Sequence, residues 1–216
     1  MRAIGGLVII GGAIAILAGA CGGSGSQQDF AYSALLTLDD LPAEWTVASQ
    51  FNPIREDARN PSICQGKVEP GARLTAAEAR FEHEPFGPFP DSGGHGPFLY
   101  NAVIAYPTGG AADYLNRVRL AIESCPDELT RHAEDGRILS TIRWSVAPIV
   151  VSDVGDEALA VQRLLSAGQE SETNIIFIRR GEIVSIVLHS QLGSSNAEEI
   201  ETFARVADEK LRQLER

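Results

Sequence analysis

Three short stretches bring together side chains able to hold a metal or move a proton. The first is Glu82-His83-Glu84, followed by His95 in a segment of glycines and prolines. Carboxylate and imidazole are natural zinc ligands. On an extended strand, however, Glu82 and Glu84 share one face and His83 points to the other. The triplet therefore works against a single metal ion, and a charged strand end is the expectation. The second stretch is His132 with Glu134 and Asp135. An imidazole beside carboxylates is the material of general-base catalysis, but no nucleophile at a strained turn accompanies it. The third is Asp153-Val154-Gly155-Asp156-Glu157. Calcium favours such oxygens, yet a calcium loop needs further acids at spaced positions and none follows before Glu170. Asp153 and Asp156 capping a turn through their own backbone is the simpler reading. His189 closes an apolar run and is expected as a partly buried edge residue. No Gly-x-Ser-x-Gly, phosphate loop or His-Glu-x-x-His is present. The expectation is no catalytic residue, no metal site and no cofactor.

Binding chemistry is the alternative to catalysis. Phe86, Phe89 and Phe98 alternate with Pro85, Pro88, Pro90 and Pro97 among glycines. That composition excludes regular structure and makes a stiff, aromatic flap, a candidate ligand-binding set. A surface loop with no role is the competing reading.

The three cysteines carry the remaining chemistry. Arg2 is followed by an uncharged run, Ile4 to Ala20, ending in Leu17-Ala18-Gly19-Ala20-Cys21. A basic start, an apolar run and a small-residue exit mark a secretory signal. With cysteine next, the segment resembles a bacterial lipoprotein signal over residues 1–20, which implies that Cys21 is acylated, with palmitate among its lipids. An uncleaved membrane anchor is the competing reading, although the run is at the short limit for a span. Either way the chain is expected on the extracytoplasmic face of the cell membrane, lipid-anchored on the first reading. Residues 21–30 then form a flexible tether, and residues 31–216 a single domain. Cys64 and Cys125 remain as an even pair, which outside the cytoplasm points to a disulfide. Closing that loop of about sixty residues contributes roughly 4 kcal/mol on the chain-entropy estimate. Two free buried thiols are the alternative.

Charge narrows the partners. Without Arg2 the chain has 17 basic residues (18 less one) against 29 acidic, a balance of −12. Phosphate contacts need clustered Lys and Arg, so nucleic acid is excluded as an expected partner. The membrane is reached through lipid, and the remaining partner is an unidentified small ligand or envelope protein.

These residues must be positioned by strands and two helices. Asp39-Asp40-Leu41-Pro42 reads as a turn into a strand at Trp45 to Ala48, and Gln50 to Pro70 as a loop. Ala76 to His83 and Phe98 to Tyr106 follow as strands. Ala111, Tyr114, Leu115, Val118, Ile122 and Cys125 make the apolar stripe of a helix ended by Pro126, with Cys125 buried at its last turn. Ile138 to Val146, Glu157 to Ser166, Asn174 to Arg180 and Glu182 to Ser190 read as strands, with a tight hairpin at Arg180-Gly181-Glu182. Ser195 to Glu198 has capping-box spacing, with Ser195 as N-cap of a helix burying Ile200, Phe203, Ala204, Ala207, Leu211 and Leu214. The predicted fold class is α+β: a single antiparallel sheet covered on one face by two amphipathic helices, with one disulfide.

Three of these features together resemble a family: Leu38-Asp39-Asp40-Leu41-Pro42-Ala43-Glu44-Trp45, a helix ending in Glu123-Ser124-Cys125, and Asp153-Val154-Gly155-Asp156-Glu157 followed by strands around Arg179-Arg180-Gly181. The pattern is similar to the actinobacterial extracytoplasmic sensor domains, the group of the PknH-like extracellular domain and its lipoprotein relatives. The resemblance implies antiparallel sheets with helices on one side and a cleft, usually with two disulfides, of which this chain can make one. It carries over no catalytic residues. A non-enzymatic lipoprotein binding a ligand or envelope partner is the leading expectation; a cell-envelope hydrolase and a structural accessory subunit are the alternatives.

Overall fold

The computed structural model describes residues 30–51, 62–63, 66–83, 97–146, 153–166 and 170–215. The expected signal and most of the expected tether (residues 1–29, with Cys21), Cys64, Glu84, Phe86, Phe89 and His95 lie outside the described residues. The described chain begins with helix α1 (30–33) and a 3-10 turn at Leu38–Asp40. Strand β1 is Trp45–Phe51, β2 Ser62–Ile63, β3 Gly66–Lys67, β4 Thr75–His83 and β5 Phe98–Ala105. Helix α2 (Gly110–Glu123) leads to β6 (Glu128–His132), β7 (Ile138–Val146), β8 (Glu157–Ser166), β9 (Glu170–Arg180) and β10 (Ile183–Leu192), and α3 (Ala197–Leu214) closes the order. Eight strands form one sheet in the order β1-β4-β5-β10-β9-β8-β7-β6, with every pair antiparallel. The small β2–β3 pair stands apart, within the stretch expected to be loop.

Two central strands explain why the helices cannot both lie on one side. Along β9, Ile175 and Phe177 face one way, Ile176 and Ile178 the other, and all four are buried. Strand β10 repeats the pattern with Val184 and Ile186 against Val187. A strand apolar on both faces needs cover on both. Accordingly α2 packs Ala111, Tyr114, Leu115 and Val118 against Tyr100, Phe177 and Ile186. Helix α3 packs Ile200, Phe203, Ala204, Ala207 and Leu211 against Phe81, Leu99, Ile176 and Val187 on the opposite face, where Ala31 to Leu36 join it. The expectation of two helices on one face is thus corrected: the sheet lies between them, and α1 is a third.

Other differences are local. Asn196, not Ser195, caps α3, accepting from the Glu198 amide at 3.1 Å. Strand β6 occupies part of the polar stretch that carries His132. Cys125 lies beyond the end of α2 and is half-buried, rather than buried on its last turn. No disulfide lies wholly within the described residues. The hairpin at Gly181 is as tight as expected, with Arg180 paired to Ile183.

The Asp153 to Glu157 stretch is the junction of these parts. Gly155 has φ +67° and its amide donates to Asp208 Oδ1 of α3 at 3.0 Å. Asp156 Oδ2 accepts from the Gly181 amide at 2.8 Å. Arg180, on the hairpin, donates to Asp208 Oδ2 at 3.0 Å, and Arg212 pairs with the same carboxylate at 2.9 Å. Glu157 receives Arg179 at 3.3 Å and Arg119 of α2. A Cβ on Gly155 would stand 2.7 Å from the Arg179 carbonyl oxygen, in a backbone region that also strains an L side chain. Gly155→Ala is therefore expected to destabilise the domain by about 1–3 kcal/mol in denaturant unfolding; a change within experimental error would show that the turn is not held as described.

Candidate functional site

At the far end of α3 from Asp208, a row of polar side chains crosses the face that α3 covers. Register sets it: His189 on β10 pairs with Leu99 on β5 and Asn174 on β9, Asn174 with Gln162 on β8, and Gln162 with Ser145 on β7. Glu172, two residues before Asn174, shares that face, as strand alternation requires. Its Oε1 accepts from Asn174 Nδ2 at 2.7 Å, from Gln162 Nε2 at 3.0 Å and from the Ser195 hydroxyl. Burial alone would raise the Glu172 pKa, but donation from Ser195, Asn174 and Gln162 outweighs it and holds the carboxyl below its ordinary value. Asn174 Nδ2 also reaches Ser195 Oγ at 2.7 Å. Ser195 thus ties the entrance of α3 to the sheet, which is why the capping falls to Asn196.

The other end of the row is aromatic. Trp45 on β1 stands edge-on to His83 of β4, with ring centroids 5.4 Å apart. It lies 6.0 Å from His189 and 5.7 Å from Phe203 of α3, and His189 lies 5.9 Å from Phe203. His189 is fully buried, 0% exposed, and neither ring nitrogen has a hydrogen-bond partner among the described residues. Trp45 Nε1, His83 Nδ1 and Asn174 Oδ1 are likewise buried and without a partner there. Buried polar atoms are nearly always paired; five unpaired ones meet in this seam, while Tyr106, Tyr114 and Trp144 carry others in the core under α2. Burial lowers the His189 pKa to about 4; the Glu172 charge opposes that effect and His83 adds to it. Glu199 of α3 has its pKa raised by burial, with His83 acting against the shift.

The residues singled out from the sequence fall into place unevenly. Glu82 and His83 point to opposite faces as expected, and only His83 joins the seam. Phe98 lies in strand β5 rather than in a flap and is half-buried against the core beneath α2. His132 is exposed, with Nδ1 3.3 Å from the Gly136 carbonyl, while Asp135 accepts from the Arg137 amide at 3.0 Å. These atoms make a hairpin turn and assemble no nucleophile. Asp153 to Glu157 serves backbone amides and arginines, and no cluster of three or more metal-ligating residues occurs among the described residues. His189 is corrected from a partly buried edge residue to a fully buried one on a central strand. Sequence reasoning missed Glu172, Asn174, Gln162 and Ser195. Their signal was the tight hairpin: once Arg180 pairs with Ile183, the same register puts Asn174 opposite His189.

The fold and this seam define an α+β domain: one antiparallel sheet between helices, with a buried polar row under one of them. No family model matches the chain, and no curated protein matches it. Among solved structures, the extracellular domain of PknH from Mycobacterium tuberculosis superposes with a TM-score of 0.58 and 14% identity, covering 86% of this chain and 96% of that one. An uncharacterised protein from Mycobacterium smegmatis gives a TM-score of 0.41 at 12% identity, covering 84% of this chain and 97% of that one. The likeness to the PknH domain is one of fold. No helix among the described residues is long and apolar enough to cross a membrane.

Glu172→Gln replaces one acceptor oxygen by a donor among three donors. The expected cost is about 1–3 kcal/mol at neutral pH. Because the Glu172 pKa is lowered, its stabilisation is present above the ordinary carboxylate value and is lost as pH falls through the folded pKa. The variant's stability should therefore converge on that of the parent in acid, read by urea unfolding at several pH values; an unchanging gap would contradict the assignment.

Proposed function

We propose that this chain is a non-enzymatic extracytoplasmic lipoprotein, held to the membrane by lipid on Cys21, whose sensor-like domain binds a small ligand or an envelope partner. The observation that carries this reading is the fold shared with the extracellular domain of PknH over 86% of the chain. The leader ahead of Cys21 supports export and acylation. Support for binding in place of catalysis comes from two of the described histidines: His132 is on the surface without a nucleophile, and His189 is sealed between Trp45 and Phe203. Phe86 and Phe89, on the connection between β4 and β5, and Phe98, at the first position of β5, are proposed as the ligand-binding aromatics. That connection leaves the sheet at His83, beside the unpaired polar atoms of the seam. Cys64 is proposed as the disulfide partner of Cys125, which would fasten the β2–β3 pair to the end of α2.

Two experiments test these assignments. Intact mass of the exported chain, labelled with a thiol reagent unreduced and denatured, should show acylated Cys21 and no label. A Cys21→Ser variant should leave the detergent phase. Two labels would remove the disulfide, and unchanged partitioning would favour an uncleaved anchor. For the binding aromatics, Phe89→Ala should cost well below the roughly 3–5 kcal/mol of emptying a core phenylalanine site, and the connection should be cut by protease in the free protein. Unfolding of Phe89→Ala would place the residue in the core and the binding site elsewhere.

A further inference from the structure

We propose that His189 is the pin of an acid-opened latch: on protonation it leaves the seam between Trp45 and Phe203, and edge strand β1 and the first turns of α3 separate from the sheet. This goes beyond the anchoring and binding proposed above and does not rest on either.

The geometry makes the protonated state untenable in place. His189 is fully buried, its two ring nitrogens have no partner among the described residues, and the rings of Trp45 and Phe203 lie within 6.0 Å of it. An imidazolium there would be a buried cation without a hydrogen-bond acceptor, which folded proteins do not tolerate. The titratable groups around it do not supply one. On β9, Glu172 takes Ser195, Asn174 and Gln162 on Oε1, and its charge favours the imidazolium without a hydrogen bond to either ring nitrogen. On β4, His83 opposes a second positive charge. On α3, Glu199 lies by His83, which acts against the upward shift that burial gives its pKa. Strand β5 presents Leu99 and β1 presents Trp45, neither of which titrates.

The weak side of this seam is also visible. Strand β1 sits at the sheet edge, paired only with β4, and its ladder is interrupted between Val47 and Ser49. Helix α3 is held at its far half by Asp208 with Arg180 and Arg212, and by Lys210 with Asp40 at 2.8 Å. Its first half depends on Ile200, Phe203 and Ala204, and on Ser195. Opening is therefore directed: the α3 entrance and β1 can part from the sheet while the far half stays fixed, a local event below the cost of global unfolding.

The sign follows from linkage. Burial lowers the His189 pKa from 6.5 to about 4, so the unfolded or opened state binds the proton first. Stability is complete above pH 6.5 and falls as pH drops from there toward 4. Between pH 7.5 and 4.5 the closed-to-open ratio should fall by roughly 50- to 100-fold through this group alone.

The test uses the full chain in detergent. The Trp144→Phe background leaves Trp45 as the one tryptophan of two, and its emission is followed from pH 7.5 to 4.5, beside denaturant unfolding. His189→Phe keeps a ring between Trp45 and Phe203 and removes the titration; should it be unfolded at pH 7.5, His189→Gln carries the same comparison. The expected result is a red shift of Trp45 and a 50- to 100-fold greater acid loss of folding equilibrium in the parent than in the His189 variant. Equal pH dependence in the two would overturn the latch. So would an imidazole resonance of His189 that titrates at its ordinary pH in the folded protein, since that would show the ring accepting a proton in place.

Discussion

The fold hangs on one buried carboxylate. Asp208 is about 2% exposed, on the inner face of α3, and receives Arg180 from the β9–β10 hairpin, Arg212 from its own helix and the Gly155 amide from the turn before β8. Each contact comes from a different part of the chain, so satisfying the charge requires the hairpin, the turn and the helix to meet at one point. An ion pair this enclosed is weak evidence of net stability, because desolvation offsets much of the attraction. Its force is one-sided: removal of either partner leaves an uncompensated charge and costs about 3–5 kcal/mol. Specificity of assembly is what the pair supplies.

From that point the second face follows. Arg180 faces α3 and its neighbour Arg179 faces α2, since successive strand residues alternate. Arg179 meets Glu157, which also receives Arg119 of α2, while Glu182 of the same hairpin accepts from the Gly109 amide at the start of α2 at 2.6 Å. A carboxylate at a helix N-terminus is favourably placed against the helix dipole. One four-residue corner, Arg179 to Glu182, thus orients a helix on each side of the sheet. The central strands between are apolar on both faces because both are roofed.

The polar seam sits at the other end of α3, where no such charge pairing operates. There the helix entrance is held by Ser195 on Glu172 and by the packing of Phe203 on Trp45 and His189. Ion pairs at one end and aromatic edges around unpaired nitrogens at the other give the helix one rigid half and one yielding half. That asymmetry links the fold to the proposed sensor-like role: the yielding half adjoins the β4–β5 connection, where the aromatic segment leaves the sheet.

Local chemistry in the sequence determined the elements. β-Branched content and turn-like joints placed β7 and β8 at their bounds, the three- and four-residue stripes placed α2 and α3, and Arg180-Gly181 announced the tight hairpin. The same chemistry ruled the acids of Asp153 to Glu157 into a turn, because their spacing cannot surround calcium. Tertiary structure alone decided which face each helix covers. An amphipathic stripe says that a helix needs a sheet, and an apolar strand that it needs cover, but neither carries a label for the side. Corner contacts 25 to 73 residues apart made that choice, such as Gly181 with Asp156 and Gly109 with Glu182. The seam was hidden for the same reason. Glu172, Asn174, Ser195 and Trp45 are ordinary polar or aromatic residues in sequence, and they become one site only when register across four strands and the entry of α3 bring them to His189.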